Sequence, residues 1–248
     1  MGIIKDFEGV KLKVQFSALA NKQIVIIGGS SGIGLATAVS AVEQGAKVTI
    51  ASRSTEKLTA VLEEHPTLNT AVCDITRPND IAHLFSRFSH VDHVFLTAGR
   101  SVTGKLVHAE FVTLRTIIDQ RIWGLVHVVK SAVPKMSDGS FTFISGQWAS
   151  KPQAGAAFIS ASIAAVETLT RGLALELAPI RVNAVAPGVI ETPILGNDRD
   201  RVDNWAKTTL PLKRMGQAEE VAQAVLMLMS NTFITGEILH IDGGGRLI

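Results

Sequence analysis

The sequence predicts an α/β protein: a single doubly wound domain whose seven-stranded parallel sheet carries helices on both faces. Three observations predict it. Seven short β-branched or apolar runs are separated by amphipathic stretches of helical period. Those runs are apolar nearly throughout, as strands covered on both faces are. The first of them leads into a glycine-rich turn that opens a helix, Gly28-Gly29-Ser30-Ser31-Gly32-Ile33-Gly34.

Gln23–Ile27 is the first strand, and the helical pattern after the turn runs to Gln44, with Gly45 as its C-cap. Lys47–Ala51 is the second strand. Ser54 caps a helix reaching about Glu63, with Glu56 complementing the dipole of its first turn. Thr70–Cys73 is the third strand, and Pro78 opens the helix after it. Val91–Thr97 is the fourth. A long apolar-periodic segment, Val112–Val133, is stopped by Pro134. Ser140–Ser145 is the fifth strand, Ala157–Ala178 a long helix stopped by Pro179, and Ile180–Ala186 the sixth strand. Asn197–Met215 carries weaker signals and is expected to form a lid over a ligand. Ala218–Met229 is a helix opened by Glu219-Glu220, and Ile238–Ile241 is the seventh strand. Residues 22–248 read as one domain and residues 1–21 as an N-terminal extension. In the extension, Val10–Phe16 alternates apolar and polar, and reads equally as a short extra strand or a frayed leader.

Composition narrows the function classes. A chain of 248 residues that is 46% hydrophobic, with a net charge of +2, is not disordered. The one cysteine, Cys73, excludes a disulfide scaffold and fits a reducing compartment. The 24 basic and 22 acidic residues are interspersed, so no stripe points to nucleic acid. Charges interrupt the N-terminal apolar residues, and no uninterrupted run approaches the roughly 18 apolar residues of a membrane helix. A cytoplasmic protein without a membrane or nucleic-acid partner is expected. The seven histidines show no metal-ligand spacing, so no metal is expected; His90 and His93 read as a solvated loop at the start of the fourth strand. The chain contains no tyrosine, which excludes any mechanism that needs a phenol.

In the glycine-rich turn, residues without side chains let the backbone approach a pyrophosphate closely, and the N–H groups of the new helix face that anion. Gly28, Ser30, Ser31, Gly32, Ile33 and Gly34 are the candidate contacts; a ligand-free turn is the weaker alternative in this first βα unit. The second strand ends in Ser52-Arg53, where dinucleotide sites often carry a carboxylate for the ribose 2′-hydroxyl. A guanidinium there suits a 2′-phosphate instead, so NADP(H) is favoured over NAD(H). An ordinary solvated arginine is the alternative.

Further residues carry a resemblance. Asp74 follows the third strand and Thr97-Ala98-Gly99 the fourth; Arg181-Val182-Asn183 leads to Pro187-Gly188, then come Thr192 and Asp242-Gly243-Gly244. Together with the glycine turn, over residues 22 to 245, this pattern resembles the short-chain dehydrogenases/reductases. The resemblance implies a Rossmann-like fold and hydride transfer between a nicotinamide and a small organic substrate. It also implies adenine contacts from Asp74 and Ile75, a ribose lined by Thr97, Ala98 and Gly99, and a nicotinamide end held near Pro187, Gly188, Ile190 and Thr192. Relatives pair their long central helices, so a homo-oligomer, dimer or tetramer, is implied as well.

The family's Asn, Ser, Tyr and Lys fall elsewhere in type. Aligned through Ser160-Ala161-Ser162, the tyrosine position is Ile159 and the lysine position Ile163; the serine becomes Gly146 and the asparagine Arg121. Strand alternation turns Ser145 the other way. Arg121 is the one candidate catalytic charge: it can stabilise an oxyanion or grip an anionic substrate, and a surface role is an equal alternative. Gly146, Gln147, Trp148, Ile159 and Trp205 are candidates for the substrate pocket, while Trp123 is expected to pack between helices. Three functions stay open: an oxidoreductase working without the usual acid, a non-redox enzyme with a structural cofactor, and a non-catalytic NADP(H) sensor or scaffold.

Overall fold

A computed structural model describes residues 18–99 and 102–248. In chain order the elements are β1 (Gln23–Ile27), α1 (Gly32–Glu43), β2 (Lys47–Ser52), α2 (Thr55–Glu64), β3 (Asn69–Val72), α3 (Pro78–Ser86) and β4 (His93–Leu96). Then follow α4 (Phe111–Ile118), α5 (Gly124–Ala132), β5 (Ser140–Ile144), α6 (Ala157–Glu176), β6 (Arg181–Pro187) and β7 (Ile190–Glu191). The last are α7 (Arg199–Thr209), β8 (Gly216–Gln217), α8 (Ala218–Ser230) and β9 (Ile238–Ile241). Seven strands form one parallel sheet in the order β3-β2-β1-β4-β5-β6-β9. The order reverses between β1 and β4, which makes their carboxyl ends the crevice of the sheet. The expected Val10–Phe16 strand lies outside the described residues.

The strand period builds two cores. Val25 and Ile27 of β1 face one side, with Ile81 and Phe85 of α3, Leu125 and Val128 of α5, and Val166 of α6. Ile24 and Ile26 face the other, with Ala38 of α1, Leu58 of α2, and Val221 and Val225 of α8. Helix ends follow the sequence signals. Ser54 accepts a bond from the Lys57 N–H at 3.2 Å, Gly45 takes φ +82° just after α1, and Pro78 opens α3. The Arg181 guanidinium donates to the Leu228 carbonyl at 2.6 Å and the Met229 carbonyl at 2.7 Å, closing the C-terminal end of α8 onto β6. Asn183 donates to the Ile234 carbonyl and accepts from the Glu237 N–H, so this motif stitches β6 to the α8–β9 connection.

Three expectations change. The long segment from Val112 is not one helix: a π-helical turn, Asp119–Trp123, joins α4 to α5. Asn197–Met215 is mostly helical, with the turn Pro193–Asp198 leading into α7 and the β7–β8 pair closing its base. His93 is no loop residue. It opens β4 at 4% exposure, with Nδ1 2.9 Å from the Ser140 hydroxyl, because the next strand covers it; His90 remains outside, 3.2 Å from the Asp92 carboxylate. Helix α6 has the length and apolarity of a membrane span, but it lies against the sheet with Ile163, Val166 and Thr170 buried.

Candidate functional site

The glycine turn is held by close backbone approaches. Gly28 sits at φ +94°, its N–H bonded to the Ala51 carbonyl at 2.8 Å, and a Cβ there would stand 2.7 Å from the Ala98 nitrogen. A Cβ on Gly34 would stand 2.3 Å from the Gly28 oxygen and 2.9 Å from the Thr97 methyl. These contacts press the start of α1 onto the exits of β1 and β4. Thr192 lies over Gly32, 3.1 Å from a Cβ built there, which brings the β7 segment onto the same turn. The N-cap residue of α1, Ser31, makes no side-chain cap, and its first turn holds no acid. The positive end of the helix dipole and its first N–H groups therefore remain available to an anion, which fits the pyrophosphate of a dinucleotide.

Beside the turn, the Ser30 hydroxyl donates to Ser52 at 3.0 Å. Arg53 is exposed at the end of β2. Burial pushes the Asp74 carboxyl upward, but hydrogen bonds from the Thr76 N–H and hydroxyl, with the charges of Arg53 and Arg77, hold it below its ordinary value. Ile75 is committed to the core: its Cγ1 would stand 2.6 Å from a Cβ on Gly124. An adenine contact from Ile75 is thus left to its backbone. Gly188 lies under Asp242, whose Cα would be 2.7 Å from a Cβ, and Ile190 packs on Gly216. Pro187 ends β6 next to this contact.

A second group lies across β4 and β5. Arg121 stands in the π-helical turn at 8% exposure, and its Cζ would be 3.4 Å from a Cβ on Gly99. Burial pushes its pKa down to about 10, so the guanidinium keeps its proton at neutral pH. A cavity of about 10 Å³, enough for roughly one water, is lined by Ala98, Gln120, Arg121, Ile144 and Val166. Gly146 faces Ile163, whose Cδ1 lies 3.4 Å from a Cβ built on the glycine. Ile159 is 1% exposed and clusters with Ile117, Ala156 and Trp148. Ser145 donates to Glu167 of α6 at 2.8 Å, directed as strand alternation requires.

Gln147 turns toward the C-terminus, where a Cβ on Gly245 would meet its Oε1 at 2.4 Å. Trp205 packs against Ala206, Leu210 and Met215 within the α7 segment itself. Trp123 is 55% exposed, its ring 6.5 Å from that of His127, rather than packed between helices; the π-helical turn rotates it outward. Burial raises the Cys73 thiol to about 12, so it is no nucleophile at neutral pH. Among the described residues no group of three His, Cys, Asp or Glu is placed to hold a metal.

Sequence reasoning missed Gln120 and Glu167. Gln120 is buried because the π-helical turn breaks the 3.6-residue period, which leaves no signal in the sequence. Glu167 did leave one, being an acid on the buried stripe of α6 one turn beyond Ile163.

Comparison with known proteins places this arrangement. The family model described as "Enoyl-(Acyl carrier protein) reductase" matches residues 28–245. The chain is 32% identical to the short-chain dehydrogenase/reductase ATR9 of Stachybotrys chlorohalonatus, over 92% of this chain and 98% of that one. The structure of the MalC reductase/Diels-Alderase from Malbranchea aurantiaca superposes with a TM-score of 0.87 at 29% identity, covering 94% of this chain and 99% of that one. A small-chain dehydrogenase crystallised with NADPH superposes with a TM-score of 0.81 at 30% identity, over 92% and 100% of the two chains. The chain belongs to the short-chain dehydrogenase/reductase family, an oxidoreductase family built on the Rossmann-like fold.

Proposed function

We propose that the protein is an NADP(H)-dependent oxidoreductase that moves hydride to or from a small organic substrate without a protein acid at the position where its family carries tyrosine. What carries the reading is that the turn at Gly28–Gly34 leaves no room for a Cβ at Gly28 or Gly34, while Ile159 and Ile163, 1% and 4% exposed, stand where the alignment through Ser160-Ala161-Ser162 puts the family's tyrosine and lysine. Gly28, Ser30, Ser31, Gly32, Ile33 and Gly34 would hold the pyrophosphate. Ser52 and Arg53 would hold the 2′-phosphate, with Asp74 and the Ile75 backbone on the adenine. Thr97, Ala98, Gly99, Pro187, Gly188, Ile190 and Thr192 would hold the nicotinamide half. NADP(H), when bound, supplies or accepts a hydride. The exposed Arg53 and the NADPH complex of a structural relative support the choice of NADP(H). We take residues 22–248 as the functional domain and a homo-oligomer as its working form.

The chain's own residues set the substrate class. Reducing a ketone over Ile159 and Ile163 leaves an alkoxide with no protein acid beside it. An iminium ion already carries the charge that hydride neutralises, and an activated alkene can take its proton from water. Gln147, Trp148 and Gly146 would frame such a substrate, with Trp205 on the lid side. Stopped-flow mixing of the NADPH complex with ketones, iminium ions and enones is expected to oxidise NADPH with the latter two; silence with all three overturns the reading. In fluorescence titrations NADPH should bind at least tenfold more tightly than NADH, and Arg53→Asp should erase the difference. Equal affinities for the unaltered protein would refute the 2′-phosphate assignment.

A second reading has one observation in its favour. A relative that superposes over 94% of this chain is a reductase and a Diels-Alderase. Here the cofactor would be structural, and Arg121 and Trp148 would orient a substrate for a non-redox reaction. Product formed without NADPH oxidation in the same mixing experiment separates this reading from the first.

A further inference from the structure

We infer that the groove between the C-terminal ends of α1 and α8 is the docking site of residues 10–16 of the same chain, whose apolar side chains cover Leu226 and Met227 and whose lysines face Glu43.

Helices α1 and α8 pack on the same face of the sheet, away from α5 and α6. Their last turns leave a groove of about 340 Å³, lined by Glu43 and Gln44 of α1 and by Gln223, Leu226 and Met227 of α8. Met227 stays 37% exposed there. The last carbonyls of a helix carry negative partial charge, which basic side chains in the final turn commonly offset. Neither helix has a basic residue in its last turn, and α1 ends on Glu43 instead. Arg181 reaches the Leu228 and Met229 carbonyls from the core side. Among the described residues, none that lines the groove is basic. An apolar floor beside a negative rim fits an occupant that brings apolar side chains and cations together.

The chain carries such a segment just before its entry to β1. Val10, Leu12, Val14 and Phe16 alternate with Lys11, Lys13 and Gln15 in the part of the sequence outside the described residues. The entry lies at the groove. Leu19 is fully buried in one cluster with Ala41 and Ala46, and the Asn21 N–H donates to the Gly45 carbonyl at 2.8 Å. The Ala20 Cα stands 3.5 Å from a Cβ built on Gly45, the neighbour of Gln44. From Ala18 back to Phe16 is roughly 7 Å of extended chain. Seven extended residues span roughly 23 Å, against a rise of roughly 10 Å along α8 from Gln223 to Ser230. The segment therefore reaches the whole groove. So short a tether holds it at an effective concentration in the millimolar range, which favours it over the same segment of a second copy. Lysine stems lie along apolar surface while their ammonium groups reach the rim, so both kinds of contact form at once.

Two experiments on the full chain test the assignment. In the unaltered protein, a zero-length carbodiimide cross-linker should join Lys11 or Lys13 to Glu43, read by mass spectrometry after digestion. The ion pair of Lys207 with Asp203, 2.6 Å apart, is the internal standard. That standard cross-linked without any product at Glu43 overturns the inference, and no variant has to fold for this result. In the second experiment Phe16→Cys is combined with Met227→Cys and oxidised with diamide; the one native thiol, Cys73, is buried. A disulfide within one chain should form at least tenfold faster than in a control pair, Phe16→Cys with Phe111→Cys. Phe111 is exposed on α4, which packs with α6 on the other side of the sheet. Lys11→Glu with Lys13→Glu should slow the reaction at least fivefold, and adding Glu43→Lys should restore it to within twofold. Equal rates for the two cysteine pairs, or a rate that ignores the charge reversals, overturn the inference. Disulfides found only between chains overturn it as well and give the groove to a second copy.

Discussion

The turn at Gly28–Gly34 and the layer formed by residues 121, 146, 159 and 163, the floor of the proposed substrate site, lie on the same edge of the same sheet, yet they are constrained in opposite ways. At Gly28 and Gly34 the nearest contacts are with backbone: a side chain at either collides with main-chain atoms of Ala98 or of Gly28 itself. On the floor the contacts are side chain on side chain. A Cβ on Gly146 would meet the tip of Ile163 at 3.4 Å and the Pro187 carbonyl oxygen only at 3.8 Å, and Ile159 meets Ile117 and Trp148. Such an apolar layer accepts exchanges of similar volume at small cost. A fold can therefore exchange side chains in that layer while the turn stays rigid. The largest break in this comparison is predicted at Gly34→Ala. Its Cβ would stand 2.3 Å from the Gly28 oxygen, so α1 must move off the turn; a loss of about 4 kcal/mol in urea unfolding is expected, together with loss of NADPH binding. Unchanged stability would show that the turn is as pliable as the floor.

The floor's tolerance has a limit in charge. Ile163→Lys buries an ammonium where the isoleucine is 4% exposed. A cost of about 3 kcal/mol is expected in the ligand-free protein, since burial depresses a lysine pKa by some two to three units. Saturating NADPH should recover part of it if the nicotinamide ribose offers hydroxyls to the ammonium. A loss below about 1 kcal/mol would mean that the floor is wetter than its packing implies.

A second comparison contrasts the carboxyl-terminal edge of the sheet with the opposite edge. His93 is buried at the start of β4, and burial lowers its pKa from 6.5 to about 4. Between these values the unfolded chain binds more protons than the folded one. The stability that neutral His93 secures is therefore complete above pH 6.5 and is lost as pH falls toward 4. The lost stability amounts to about 3 kcal/mol. Urea unfolding from pH 7 to 4 measures it, and His93→Leu should flatten that slope. If the two profiles run parallel, the acid sensitivity originates elsewhere.

The sheet was legible in the sequence because strands covered on both faces are apolar runs, and Ser54, Pro78 and Gly45 punctuate them with local chemistry. The cradle was legible because only glycine fits its backbone. Most of what stayed hidden, the burial of Arg121 and Gln120 and the exposure of Trp123, depends on one turn. Five residues in π geometry, Asp119–Trp123, rotate Arg121 and Gln120 inward and Trp123 outward, and nothing in their apolar period announces it. His93 was misread for a related reason. A histidine at a strand start reads as solvated until the neighbouring strand, here Ser140 of β5, is known to cover it.

The smallest effect tests the same comparison from the permissive side. Gly172 lies inside α6, and a Cβ built on it meets nothing within 4 Å. No contact demands a glycine there, unlike at Gly34, and glycine in a helix interior costs roughly 0.5–1 kcal/mol relative to alanine through backbone entropy. Gly172→Ala should therefore raise the unfolding free energy by about 0.7 kcal/mol and leave NADPH affinity unchanged. If instead it destabilises, and does so only at protein concentrations where the chain self-associates, this bare stretch of α6 is covered by a second copy. The proposed homo-oligomer would then supply the close contact that the single chain lacks, and Gly172 would join Gly34 as a glycine kept by backbone approach.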